Sequence, residues 1–256
     1  MAMEYRSSLQ AGRKANKIIA VMSGKGGVGK STIAGLLAVG FRRQGLRVGV
    51  LDGDLISPSL VSMFGMEMQF SLDEDGAVEP LKSHSGVKVM SMNLFQASAG
   101  DPLVWRGPMI SSAFKQFYSE ISWGQLDYLF IDVPTGTSDV PMTVLHSLPL
   151  DGIIVVSSPQ KLARAVTQRC VNMIHQLNGR ILGVIENSLL FIGHDESPDS
   201  DSARSLVEMT EAPLLTQLPF DPRLTALCDA GQIEAYHAEV LETLIARLTV
   251  VLTDEE

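Results

Sequence analysis

Residues 24–32 read Gly-Lys-Gly-Gly-Val-Gly-Lys-Ser-Thr, and their spacing is that of a phosphate-binding loop, G-x-x-x-x-G-K-[ST]. One lysine, Lys25, is more than the pattern requires. Gly24, Gly26, Gly27 and Gly29 let successive backbone N–H groups turn inward around an anion with no side chain in the way. A helix N-terminus behind them adds partial positive charge. In such a loop Lys30 reaches the outer phosphates and the Ser31 hydroxyl ligates Mg2+. At average glycine usage a bare match arises by chance in roughly one chain in a hundred. The flanks make chance a weaker explanation still. The apolar run Ile18-Ile19-Ala20-Val21-Met22 predicts a buried strand leading in, and Ser31 to Phe41 predicts a mostly apolar helix leading out.

Three aspartates could complete the chemistry. Transfer of a γ-phosphoryl group needs Mg2+ between the phosphates, a carboxylate behind the metal and a group that orients the attacking water. Asp132 follows the apolar run Tyr128-Leu129-Phe130-Ile131 and suits the metal role. Asp52 and Asp54 follow a second run that ends in Leu51, and Asp54 suits the water. Any one of these alone would more often be a turn or helix cap. The loop tips the reading towards function for Asp132 and Asp54 and leaves Asp52 balanced between the two. Ser31, Asp54 and Asp132 are therefore the candidate metal set, and Lys25, Lys30 and Asp54 the candidate catalytic set. Gly136, four residues past Asp132, lies where a backbone N–H meets a γ-phosphate in nucleotide switch loops.

The elements that must position these residues alternate in type. Strands are expected at Lys17 to Met22, Arg47 to Leu51, Val87 to Met92, Tyr128 to Ile131, Gly152 to Val156, Ile181 to Ile185 and Leu214 to Leu218. Most of the segments between them have helical spacing, such as Leu162, Val166, Cys170, Met173 and Leu177 on one face. The alternation predicts an α/β fold, a doubly wound and mostly parallel sheet with helices on both faces. Ligands in such sheets bind beyond the carboxyl ends of the strands. The length of 256 residues suits one P-loop domain over 17–256 with a short extension at 1–16. Hydrophobic residues make up 45% and charged residues 19%, as expected where central strands are apolar on both faces. A formal net charge of -9 argues against nucleic acid and anionic lipid as partners. The basic residues Arg13, Lys14 and Lys17 lack a signal-length apolar core behind them, and no later run is long enough to span a membrane. A cytoplasmic location follows as the expectation. The acidic stretch His194 to Ser202 reads as an exposed loop.

Taken together, the lysine-bearing loop, the Asp-x-Asp after the second strand and the Ile131-Asp132-Val133-Pro134-Thr135-Gly136-Thr137 segment resemble the deviant-Walker ATPases, the group of MinD, ParA and nitrogenase iron protein. Several further strings are similar to the Mrp branch, the iron-sulfur cluster carrier ATPases. They are residues 86–92, Trp105-Arg106-Gly107-Pro108-Met109, residues 123–128, Ser158-Pro159-Gln160, residues 181–187 and Leu218-Pro219-Phe220-Asp221-Pro222. The resemblance runs from about Lys17 to Gln232. It implies an ATPase, slow and partner-stimulated, that works as a face-to-face homodimer. Lys25 then matches the lysine that reaches across to the partner's phosphates, and Thr32 a contact to the α-phosphate. Gly24 to Thr32, Val28 included, cradle the nucleotide. Asn187, Pro219 and Asp221 match the residues that hold adenine, which favours ATP, although a polar cap at the strand end explains Asn187 equally well.

The chain also departs from the branch. Thr135 and Ser138 replace its usual Pro and Gly. Where the family carries Cys-x-x-Cys after the Asn187 strand, this sequence has Gly193 and Glu196. Neither suits an iron-sulfur cluster held by thiolates. Only Cys170 and Cys228 remain, both at helical spacing with apolar residues and in no paired motif. The expectation is an ATP- and Mg2+-dependent dimer without its own bridging cluster. It would act on a metalloprotein or assembly-factor client, alone or paired with a cysteine-bearing relative. A MinD- or ParA-like positioning switch is the alternative. The tail ends in Thr253-Asp254-Glu255-Glu256, which lacks the basic amphipathic character a membrane switch needs.

Overall fold

The computed structural model describes residues 14–54, 58–67, 69, 71–92, 114, 118, 120–136, 139–188 and 200–253. Among these residues eight strands form one sheet: β1 (Ala15–Met22), β2 (Val48–Asp52), β3 (Leu81–Lys82), β4 (Lys88–Ser91), β5 (Leu126–Asp132), β6 (Gly152–Ser157), β7 (Ile181–Asn187) and β8 (Leu214–Leu218). Their spatial order is β3-β4-β2-β5-β1-β6-β7-β8. Every pairing is parallel except β3 with β4. The seven expected strands are all present, with ends shifted by one or two residues, and the fold is the α/β P-loop type. The two-residue β3 carries no apolar alternation and was not expected.

The sheet is apolar on both faces because its strands are. Along β1, Ile18, Ala20 and Met22 enter one core cluster and Ile19 and Val21 the other, as the two-residue period of a strand demands. Helices α1 (Lys30–Arg43) and α7 (Glu239–Thr253) cover the Ile19 face, with α2 (Leu60–Met63) and α6 (Pro222–Asp229) beside them. On α1, Phe41 lies edge-on to Phe130 of β5 at 5.4 Å. The Ile18 face is covered by α3 (Asp139–Ser147), α4 (Lys161–Gln176) and α5 (Ser200–Thr210). Burying a large aliphatic or aromatic side chain contributes about 1.5–3 kcal/mol, so two continuous clusters account for one rigid sheet.

Two helical expectations change. Leu162 stands 68% exposed at the start of α4, while Cys170 and Met173 on the same helix are buried. The apolar stripe therefore begins one turn later than its spacing suggests. Ser200 to Ser202, expected in an acidic loop, form the first turn of α5, and Ser202 is fully buried. Among the described residues no helix is long and apolar enough to cross a membrane.

The strand order places a crevice. The chain leaves β1 for β2 on the β5 side and leaves the neighbouring β6 for β7 on the other side, so the loops at the carboxyl ends of these two strands diverge. The loop 24–29 occupies that position. Its first glycine is wedged against α4. A Cβ on Gly24 would lie 2.5 Å from the Val166 carbonyl carbon and oxygen and 2.6 Å from the Thr167 nitrogen. Gly24→Ala is expected to displace α4 and cost about 2 kcal/mol, a fall of roughly 5 °C in Tm. A thermal melt matching the parent would show that this contact yields without cost.

Candidate nucleotide site

The loop hands over to α1 at Gly29, whose φ of 82° is left-handed, a conformation that only glycine adopts cheaply. No side chain caps this helix end, and its first turn carries no acidic residue. The leading N–H groups of α1 are thus left to an anion, and nothing nearby repels one. Lys30 is buried at the first position of the helix, and Ser31 and Thr32 are half-buried beside it. Ser23, at the end of β1, donates its hydroxyl to the Lys25 carbonyl at 3.1 Å. It also accepts the Gly136 N–H at its own carbonyl at 3.3 Å. The loop and the candidate switch glycine are therefore joined through one residue.

The carboxylates gather at adjacent strand ends. Asp52 of β2 and Asp132 of β5 are in register, and Val21 of β1 is the partner of Asp132 on the other side. Asp132 is fully buried and forms an ion pair with Lys30 Nζ through Oδ1. Its Oδ2 is buried with no hydrogen-bond partner among the described residues. Burial pushes the Asp132 carboxyl up, and the Lys30 charge together with hydrogen bonds from Lys30 and Ser31 opposes that rise. Asp54 lies close enough for its charge to add to it. A buried, half-satisfied carboxylate facing Ser31 and Lys30 is a donor set that fits Mg2+, a hard cation that takes oxygen ligands.

Asp52 has a different task. Its carboxylate accepts the N–H groups of Asp54 at 3.1 Å, Ser59 at 2.9 Å and Leu60 at 3.0 Å. It thereby shapes the Asp54 turn and the entry to α2. Burial first, and the Asp132 charge second, push its carboxyl up to about 6. The balance left open in the sequence resolves towards capping.

Lys25, the lysine beyond the loop pattern, is held within its own chain. Lys25 Nζ donates to Gln160 Oε1 at 3.1 Å, at the entry to α4. Asn187, at the end of β7, donates from Nδ2 to the Val28 carbonyl at 2.8 Å, so it braces the loop from the β7 side. Asp221 caps α6 by accepting from the Arg223 N–H, pairs with the Arg223 guanidinium at 2.6 Å, and accepts from the Tyr236 hydroxyl at 3.2 Å. The Arg223 hydrogen bonds hold its carboxyl down at about 2. Pro219 lies two residues before it, just past β8. The structure thus brings Lys25, Lys30, Ser31, Asp54, Asp132 and Gly136 around one loop, with Asn187 against its side. The sequence reading missed Gln160, Ser23 and Glu186, which precedes Asn187. Gln160 and Glu186 both fall in strings that resemble the family, and Glu186 is also a lone charge in an otherwise apolar strand. The Trp105 to Met109 string, Thr137, Ser138, Gly193 and Glu196 lie outside the described residues.

Comparison with known proteins bears on the family and the fold. A model of the family described as ParA, NUBPL iron-transfer P-loop NTPase matches residues 14–250. An iron-sulfur cluster carrier protein of Clostridium perfringens is 37% identical over 234 residues, 87% of this chain and 82% of that protein. One from Deinococcus radiodurans is 39% identical over 221 residues, 84% of this chain and 62% of that protein. The chain thus spans less than two thirds of the Deinococcus relative's length. A nucleotide-binding protein from Archaeoglobus fulgidus, solved with ADP, superposes with a TM-score of 0.78 at 33% identity, covering 94% of this chain and 96% of that one. The MinD cell division protein of Aquifex aeolicus superposes at 0.66 with 19% identity, a likeness of fold alone.

Proposed function

The chain belongs to the iron-transfer P-loop NTPase family of the iron-sulfur cluster carriers, and from that premise we propose that it binds and slowly hydrolyses ATP as a dimer. The nucleotide cycle would serve assembly or maturation of an iron-sulfur or other metal protein. The observation that carries this reading is the uncapped, glycine-turned start of α1 set against the half-satisfied Asp132. The N–H groups of the loop and α1 would hold the phosphates, with Lys30 moving from Asp132 to the outer ones. Ser31 and Asp132 would hold Mg2+, which offsets the charge that develops on the transferred group. Asp54 would orient the attacking water. The ADP-bound Archaeoglobus relative supports a nucleotide in this fold, and the Asn187 side chain beside Val28 supports a base on that side of the loop. The MinD and ParA alternative rests on structures that share the fold at 16–22% identity, whereas the carrier relatives share sequence along most of the chain.

Lys25 gives the test of the dimer. While it is held by Gln160 it serves its own subunit, and reaching a partner's phosphates requires that bond to exchange. Lys25→Ala is expected to bind ATP with Mg2+ but to remain monomeric and inactive. Asp54→Ala should accumulate an ATP-bound dimer because water is no longer oriented. Light scattering with ATP that reports one mass for both variants rules out closure through Lys25.

A further inference from the structure

Glu186 interrupts the apolar strand Ile181-Leu182-Gly183-Val184-Ile185 and is only 1% exposed. A buried carboxylate is costly unless hydrogen-bonded, and an apolar residue would serve packing at lower cost. Its partners show what it does instead. It accepts from the Ser202 hydroxyl in the first turn of α5, and from Gln217 Nε2 on β8 at 2.7 Å. The next residue, Asn187, donates to the Val28 carbonyl in the phosphate loop. On the other side, Ser202 Oγ lies 3.5 Å from the Pro159 carbonyl, and the residue after Pro159 is Gln160, the partner of Lys25. The Glu186 and Ser202 pair therefore connects to both flanks of the loop, to Val28 through Asn187 and to Lys25 through Gln160.

We propose that Glu186 is a positioning residue for the nucleotide site. Together with Ser202 it ties the end of β7, the entry to α4 and the first turn of α5 into one unit. Filling the loop and ordering α5 then become coupled events. The inference rests on the reading that the loop binds nucleotide. Coupling is reciprocal: the factor by which nucleotide suppresses opening of α5 equals the factor by which a locked α5 tightens nucleotide.

Amide hydrogen exchange across residues 200–210, measured with and without ADP and Mg2+, tests this alongside calorimetric ADP affinity. In the parent, ADP should slow exchange of the hydrogen-bonded amides of α5, residues 204–210, roughly tenfold, a coupling within the usual range. Glu186→Ala and Ser202→Ala should each abolish that slowing and weaken ADP by a similar factor. Ser202→Ala is the milder change should Glu186→Ala fold poorly. Glu186→Gln should retain both effects, since its amide can donate to Ser202 Oγ while its carbonyl accepts from Gln217. A purely structural Glu186 would alter exchange equally with and without ADP. Equal exchange in the parent under both conditions, or nucleotide-dependent slowing that survives in Ser202→Ala, overturns the proposal. Failure of the parent itself to bind ADP in the calorimeter sinks the nucleotide reading first and is seen before any variant is made.

Discussion

Lys30→Ala is expected to abolish ATP binding and hydrolysis and, separately, to destabilise the fold. The binding loss follows from charge-assisted hydrogen bonds to the outer phosphates, worth about 1.5–3 kcal/mol each. Losing two of them weakens affinity by roughly a hundredfold or more. The stability loss has another source. Lys30 is the ion-pair partner of the buried Asp132, and removing one member of a buried pair costs about 3–5 kcal/mol because the other charge is left uncompensated. That cost should depend on pH. Burial holds the Asp132 carboxyl above its ordinary value even in the parent, and without Lys30 the rise is larger. A carboxyl raised in the folded state binds its proton more tightly there than in the unfolded chain, so folding is undisturbed in acid and loses stability as pH rises through the folded value. Thermal melts of Lys30→Ala should approach the parent near pH 4 to 5 and fall below it at neutral pH. Adding Asp132→Asn should restore the neutral melt without restoring ATP binding. A variant that binds ATP like the parent in the calorimeter would show that the loop is vestigial.

Much of this site was legible because its residue types leave few alternatives. Four glycines, two lysines and a serine at fixed spacing between an apolar run and a mostly apolar helix read as a strand-loop-helix anion site, and the structure places Gly24 and Gly29 where larger residues would clash or strain. The seven longer strands were legible because most of their residues are apolar. What escaped depended on contacts between distant segments. Asp52 and Asp54 are identical in type and two residues apart, and only the fold of residues 58–60 back onto Asp52 separates a cap from a candidate catalytic group. Leu162 fits the helical stripe of α4 by spacing, yet the buried part of that stripe begins a turn later and leaves Leu162 exposed. The Glu186 to Ser202 and Lys25 to Gln160 contacts join residues 16 and 135 positions apart. No local pattern encodes them.

The second large effect concerns iron. The anaerobically reconstituted homodimer is expected to hold no stoichiometric iron-sulfur cluster, while its ATPase activity survives Cys170→Ala with Cys228→Ala. A 4Fe-4S cluster shared between two subunits needs about four thiolates, and the chain contains two cysteines. The fold separates them. Cys170 is enclosed in the core cluster on the Ile18 face of the sheet, and Cys228 packs against the cluster on the Ile19 face. A single chain therefore cannot present both thiols to one cluster. Burial also pushes the Cys170 thiol up to about 12 and the Cys228 thiol up to about 11, whereas the thiolate is the form that binds metal. Native protein should accordingly alkylate slowly at Cys228 and hardly at all at Cys170, with both reacting on denaturation. Any cluster handled during the ATP cycle must then be held by a client or by a cysteine-bearing partner chain. Visible cluster absorbance with about four irons per dimer, lost in Cys228→Ala, would refute this and return the chain to the carrier role its relatives' names describe. The alkylation rates discriminate independently of iron, because a thiol poised to ligate would react fast in the native dimer.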